Sequence, residues 1–322
     1  MTPFETNPGA RRETRRAPHQ RRHIHDARAQ RWSWRITLIP LIILAGVAVA
    51  LILRAWPILQ AYPLTELLFG TVWKPSTGQF GLWPFITSTV WVTGVGVLLS
   101  VPPSILAALY LSEYAHSRTR LIVKPILDVL AAIPPVVYGV WGLLAVVPFV
   151  ADVLAPALST LFGVLPLFAI TQPTGFSVMA GGIVLAVMIT PLMIAVISEI
   201  LHTVPQDIRQ ASLAVGATRW ETIWLVLLPH IMPGIIAAIV LGASRAFGET
   251  IAVLMVVGNV PHIPTSLFDT AYPLPALIAN NYGEMMSVPL YDAALLAVAL
   301  VLFIVVFAFN VLAMLTLRRF VR

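Results

Sequence analysis

The segment Pro205-Gln-Asp-Ile-Arg-Gln-Ala-Ser-Leu-Ala-Val-Gly216-Ala-Thr-Arg-Trp-Glu-Thr-Ile-Trp-Leu-Val-Leu-Leu-Pro229 is a short amphipathic passage in an otherwise apolar region. Pro205 with Asp207 opens a helix, because proline suits a first helical turn and an acid complements its positive end. Ala211, Leu213 and Ala214 continue it, and Gly216 turns the chain where a side chain would be strained. Thr218 starts a second helix with Glu221 three residues on, the capping-box spacing. Trp220, Ile223, Trp224 and Leu227 are expected on one face of it, with Pro229 as its stop. Two short helices about a glycine corner make a compact knob. The loop that carries it, 199–229, lies between two long apolar stretches, 176–198 and 231–257.

Outward from that loop the same composition continues. Of the 322 residues, 58% are hydrophobic and 11% charged; soluble domains run at about 45–50% and about 25%. A soluble globule and a disordered chain are both excluded. The absence of cysteine excludes disulfides, thiolate metal sites and a cysteine nucleophile. Further apolar runs occupy 36–53, 84–111, 129–151 and 293–317. Each supplies the roughly 20 residues that cross about 30 Å of hydrocarbon. The expected fold is therefore all-α: a polytopic integral membrane protein with six transmembrane helices. Pro102-Pro103, Pro134-Pro135 and Pro191 fall inside spans, where neighbouring helices can re-satisfy the freed carbonyls. The first run ends in Leu51-Ile-Leu53 and Arg54, which is no small-residue cleavage site, so it reads as a retained anchor.

The segment 153–170 is a seventh apolar candidate, and charge decides against it. With six spans and the N-terminus inside, 17 of the 20 basic residues fall on the cytoplasmic face, as the positive-inside rule requires. A seventh crossing would send Arg209, Arg219 and the C-terminal arginines outside. A short re-entrant or interfacial helix on the outer side is expected there. The external loops, about 54–83, 152–175 and 258–292, are rich in proline and aromatic residues. Nine arginines in residues 1–35 face three acids, and the remaining 287 residues carry no net charge. This basic, disordered tail reads as a cytoplasmic topology signal resting on anionic lipid, not as a nucleic-acid surface. Both termini are expected in the cytoplasm of a cell with an inner membrane.

Two opposite charges fall inside the fifth apolar run. Arg245 is placed near the middle of 231–257, where an arginine costs on the order of 2.5–3.5 kcal/mol to insert. Glu249, four residues on, would share its helical face. One reading is a structural ion pair. The other is a substrate path, in which Arg245 presents a fork of donors to an oxyanion. Glu249 would then keep Arg245 neutralised when the path is empty, or accept a hydrogen bond from a protonated phosphate, which sulfate cannot offer. No GxxxxGK[ST] cradle exists, since the only lysines are Lys74 and Lys124. No catalytic residue, metal site or cofactor is therefore expected on this chain.

The 199–229 loop resembles the EAA motif of ABC-importer membrane subunits: Glu-Ala-Ala, three residues, Gly, nine residues, Ile-x-Leu-Pro. Here Gln210, Ala211 and Ser212 stand first, then Gly216, then Val226 to Leu228 and Pro229. With Ala132 to Gly142, which holds Tyr138-Gly-Val-Trp-Gly, and Ser244 to Thr250, the chain over about 33–322 is similar to the phosphate-specific transport permeases. That resemblance implies a MetI-like core, about 84–317, with a peripheral first span at 36–53. It implies ATPase coupling through Gln210, Ala211, Gly216, Leu228 and Pro229, and a phosphate path through Arg245 and Glu249. It also implies a PstA-like second permease, a PstB-like ATPase dimer carrying ATP and Mg, and a PstS-like phosphate-binding protein. The rival expectations are a permease for molybdate or sulfate, and a membrane component that signals phosphate status.

Overall fold

The computed structural model describes residues 17–170, 172–284 and 287–320, with backbone alone for 17–31 and 317–320. The chain divides into two units, 1–53 and 54–322. Helix α1 (Ala17–Ala61) begins inside the segment expected to be a disordered tail, because Ala, Arg and Gln dominate there and Pro18 falls in the first turn, where proline is tolerated. Residues 1–16 of that tail lie outside the described residues. Between Trp32 and Leu53 no described side chain is buried.

In the second unit, α2 (Leu64–Phe69) and a hairpin of β1 (Trp73–Lys74) and β2 (Gln79–Phe80) lead into α3 (Trp83–Tyr114). An amphipathic helix α4 (Ser117–Ala132) follows. The long helices α5 (Pro135–Phe162), α6 (Val178–Thr203), α8 (Arg219–Phe247) and α11 (Tyr291–Phe320) complete the bundle. Shorter helices α7 (Gln206–Ala214), α9 (Ile251–Leu254) and α10 (Leu274–Asn281) connect them. Six described helices are long and apolar enough to cross a membrane, the number read from the sequence.

The boundaries moved where prolines act. Ile133 and Pro134 are extended, because a residue before proline is pushed out of the helical region. The third span therefore starts at Pro135 instead of 129. It then runs to Phe162, so residues 153–162 complete it and form no separate re-entrant or interfacial helix. Pro229, expected as a stop, lies inside α8. A π-helical turn at Thr222–Leu227 precedes it by two residues. The same arrangement recurs at Gly142–Val146 before Pro148 and at Val150–Leu154 before Pro156. Proline lacks an N–H, and its ring strikes the carbonyl four residues back. The wider turn moves that carbonyl aside and lets the helix continue.

Packing concentrates on α3 against α6. A Cβ on Gly182 would meet Val95 Cγ1 at 2.3 Å, so only glycine allows this approach; close contact of small residues is the usual adhesive between helices in lipid. At the opposite end from the 199–229 loop, described residues of the long loops pack on the helices. Trp73, Phe80, Phe85 and Tyr272 form an aromatic cluster, with Phe85 in edge contact with both Trp73 and Tyr272 at 5.3 Å. Ser88 and Thr89 of α3 accept the amides of Tyr272 and Leu274 at 3.1 and 2.9 Å. The carbonyls of Asp269 and Leu267 accept the first amides of α6, Val178 and Met179, which the helix itself leaves without partners.

Candidate functional site

The fifth span ends sooner than its apolar run suggests. Helix α8 stops at Phe247, so Arg245 sits in its last turn and not near mid-span. A cation there complements the negative end of the helix. Gly248 and Thr250 separate α8 from α9, and this break removes the shared face expected for Arg245 and Glu249. Glu249 instead accepts the Ala252 amide at 3.2 Å, capping α9. Among the described residues no carboxylate pairs with Arg245, and its side chain is exposed. Glu249 is half-buried and lines a cleft of about 10 Å³ with Thr89, Thr93, Phe247 and Pro273. That is room for about one water, so this cleft by itself does not hold a tetrahedral anion.

Two sequence stretches more than a hundred residues apart meet at this break. The Tyr138-Gly139 step of α5 packs on α9, where a Cβ on Gly139 would lie 2.6 Å from Met255 Sδ and 3.1 Å from Ala252 Cα. The Tyr138 hydroxyl donates to Leu130 O at 2.7 Å. The preceding Ser244 is buried and accepts Asn310 Nδ2 at 2.7 Å, and Phe247 lies 4.9 Å from Phe309. Helix α11 thus holds the end of α8 in place.

The knob forms as two helices about Gly216, whose φ is +93°. The capping box is complete: Glu221 N donates to Thr218 Oγ1 at 3.2 Å and Thr218 N to Glu221 Oε2 at 2.7 Å. The aromatic face divides, however. Ile223 and Leu227 are buried, whereas Trp220 and Trp224 are exposed, with ring centroids 5.6 Å apart. Ser212, which stands for the second alanine of the motif, shares a 2.9 Å hydrogen bond with Thr222. Gln210, Ala211, Gly216 and Pro229 are exposed, and Leu228 is half-buried. Leu213 and Val215 add apolar surface, 46% and 86% exposed. Sequence reasoning missed the ion pair between Arg209 and Glu113, because nothing in the primary structure links residues 96 apart.

Six apolar helices long enough to cross a membrane, with a two-helix knob and an exposed cation where a span breaks, define a multi-pass permease subunit. Residues 100–322 match the family described as binding-protein-dependent transport system inner membrane component, and the chain belongs to that family. Within it the chain belongs with the PstC permeases. It is 35% identical to the phosphate transport system permease protein PstC of Xylella fastidiosa (strain 9a5c), over 94% of each chain. The PstC of Mesorhizobium japonicum is 32% identical, over 88% of this chain and 86% of its own. A probable ABC transporter permease protein YqgH of Bacillus subtilis is 36% identical, over 77% and 75%. Among solved structures, a bacterial alginate ABC transporter with its alginate-bound periplasmic protein aligns at a TM-score of 0.54, covering 90% of this chain and 96% of the other at 20% identity. The MetNI methionine ABC transporter, facing inward, gives 0.50, covering 75% and 95%, also at 20% identity. These two likenesses establish the shared MetI-like fold.

Proposed function

We propose that the chain is the membrane permease subunit of an ATP-driven importer that moves inorganic phosphate across the inner membrane by alternating access. The observation that carries this reading is Arg245, exposed and, among the described residues, without a carboxylate partner at the break between α8 and α9. A guanidinium in a low-dielectric setting presents planar, bidentate donors to an oxyanion. Glu249 beside it accepts a hydrogen bond from the P–OH group that phosphate keeps near neutral pH. The small cleft on this chain supports a path completed by a second, PstA-like permease.

The knob then serves as the docking element. Gln210, Ala211, Gly216, Leu228 and Pro229 belong to a surface that meets a PstB-like ATPase dimer, which carries the ATP and Mg. A PstS-like binding protein delivers phosphate to the loops at the far end, and both termini lie in the cytoplasm. The test is ATP hydrolysis and uptake by the complex in liposomes. Phosphate should stimulate both; stimulation by sulfate or molybdate in its place would reassign the substrate. Co-purification of an ATPase and a second permease checks the assembly, and recovery of this chain alone would count against it.

A further inference from the structure

Arg209 of α7 reaches three ways. Its Nε lies 3.3 and 3.4 Å from the two carboxylate oxygens of Glu113, and its Nη2 lies 3.1 Å from Oε1. The same Nη2 donates to Leu201 O at 2.8 Å, and Nη1 to Val204 O at 2.6 Å. Those carbonyls close the end of α6, where the helix leaves acceptors without partners. Glu113 stands on the π-helical turn that ends α3. Ser112 Oγ donates to it at 3.0 Å, and Arg120 holds the neighbouring carbonyls of Leu111 and Ser112. The paired side chains are only 12% and 15% exposed.

One guanidinium therefore joins the knob to the ends of two spans. The described polar contacts from α7 to α3 and to α6 all run through it, while Ser212 fastens α7 to the start of α8. A planar fork holds three directions at once, which a lysine ammonium on its flexible stem does not. Separating a mostly buried pair leaves an uncompensated charge, so the parts tend to move together.

We propose that Arg209, anchored on Glu113, is a positioning residue that transmits displacement of the knob to α3 and α6. This strut rests on the ATP-driven importer reading. The experiment measures phosphate taken up per ATP hydrolysed by the complex with its ATPase in liposomes. Glu113→Gln keeps Arg209 on the α6 carbonyls and removes the charge of its anchor on α3, leaving one neutral amide oxygen in place of the carboxylate. Uptake per ATP should fall about 2- to 30-fold, the range of mutations along coupled networks, while hydrolysis itself continues. Glu113→Asp should restore most of the ratio. If Glu113→Gln fails to assemble, Arg209→Lys serves in its place and should also lower the ratio. An unchanged ratio, including one where hydrolysis and uptake drop in proportion, overturns the strut. An unmodified complex without ATP-driven phosphate uptake overturns the importer reading itself, and the strut with it.

Discussion

Glu249 is joined to Ala252, not to Arg245: its carboxylate accepts the Ala252 amide at 3.2 Å and begins a new helix. Arg245 is left as an exposed cation in the closing turn of the fifth span. An arginine neutralised by its own helix would have little to offer an anion. This one keeps its donors available, and the consequences can be measured.

Arg245→Gln is expected to lower phosphate uptake about 10- to 100-fold, since a lost charge-assisted contact is worth about 1.5–3 kcal/mol and each 1.4 kcal/mol is tenfold. The hypothesis follows from the exposed guanidinium. Assembly with the partner subunits should be unchanged by co-purification. Uptake at the parental rate would remove Arg245 from the path.

Exchanging the two charges, Arg245→Glu with Glu249→Arg, should not restore uptake. A pair on one helical face would tolerate the swap, but α8 ends between these residues. Uptake assays of the double variant against each single one decide the matter, and recovery in the double variant would contradict the helix break.

Gly139→Leu should disable uptake through packing. A Cβ there already meets Met255 Sδ at 2.6 Å and Ala252 Cα at 3.1 Å, so a larger side chain must push α9, and with it Glu249, away from α5. Over-packing of this kind costs about 1–3 kcal/mol, visible as a lower melting temperature in detergent. A Leu variant with parental uptake and melting would show that the α5–α9 contact is dispensable.

Gly216 poses a conformational problem without a steric one. Its φ is +93°, yet nothing lies within 4 Å of an added Cβ. Gly216→Val should cost roughly 1–2 kcal/mol locally and loosen the knob, reducing uptake per ATP. Gly216→Asn, better suited to positive φ, should be milder. Equal ratios for Val, Asn and the parent would argue against a role for the corner in coupling.

Ser212→Ala should leave the Thr222 hydroxyl on the Thr218 carbonyl, 3.0 Å away, and so cost under about 1.5 kcal/mol, the upper end for one hydrogen bond. Thr222→Val removes both contacts from a buried position and should be the more damaging of the two. Thermal melting of the purified complex gives the order, and a reversed order would mean that Ser212 is the principal tie.

Six spans, the knob and its glycine corner were legible in the chain because each depends on local chemistry. Apolar length sets a crossing, a Thr-x-x-Glu spacing makes a cap, and a glycine permits positive φ. Proline positions were visible too, but their effect was not. Pro134 delayed a span, while Pro148, Pro156 and Pro229 were absorbed by π-helical turns; a proline ends or bends a helix according to what packing allows its carbonyl to do.

The sequence by itself determined that this chain lives in lipid, how many apolar helices it offers for crossing and which loop folds into two short helices about a glycine. Those properties follow from free energies summed along one strand of polypeptide. The tertiary structure alone decided that Arg245 ends a helix instead of pairing with Glu249, that Gly139 abuts Ala252, and that Arg209 grips Glu113. Each of these rests on contacts between residues distant along the chain, or on a helix break that such contacts hold in place. Local propensity carries no information about which distant surface will arrive to complete them.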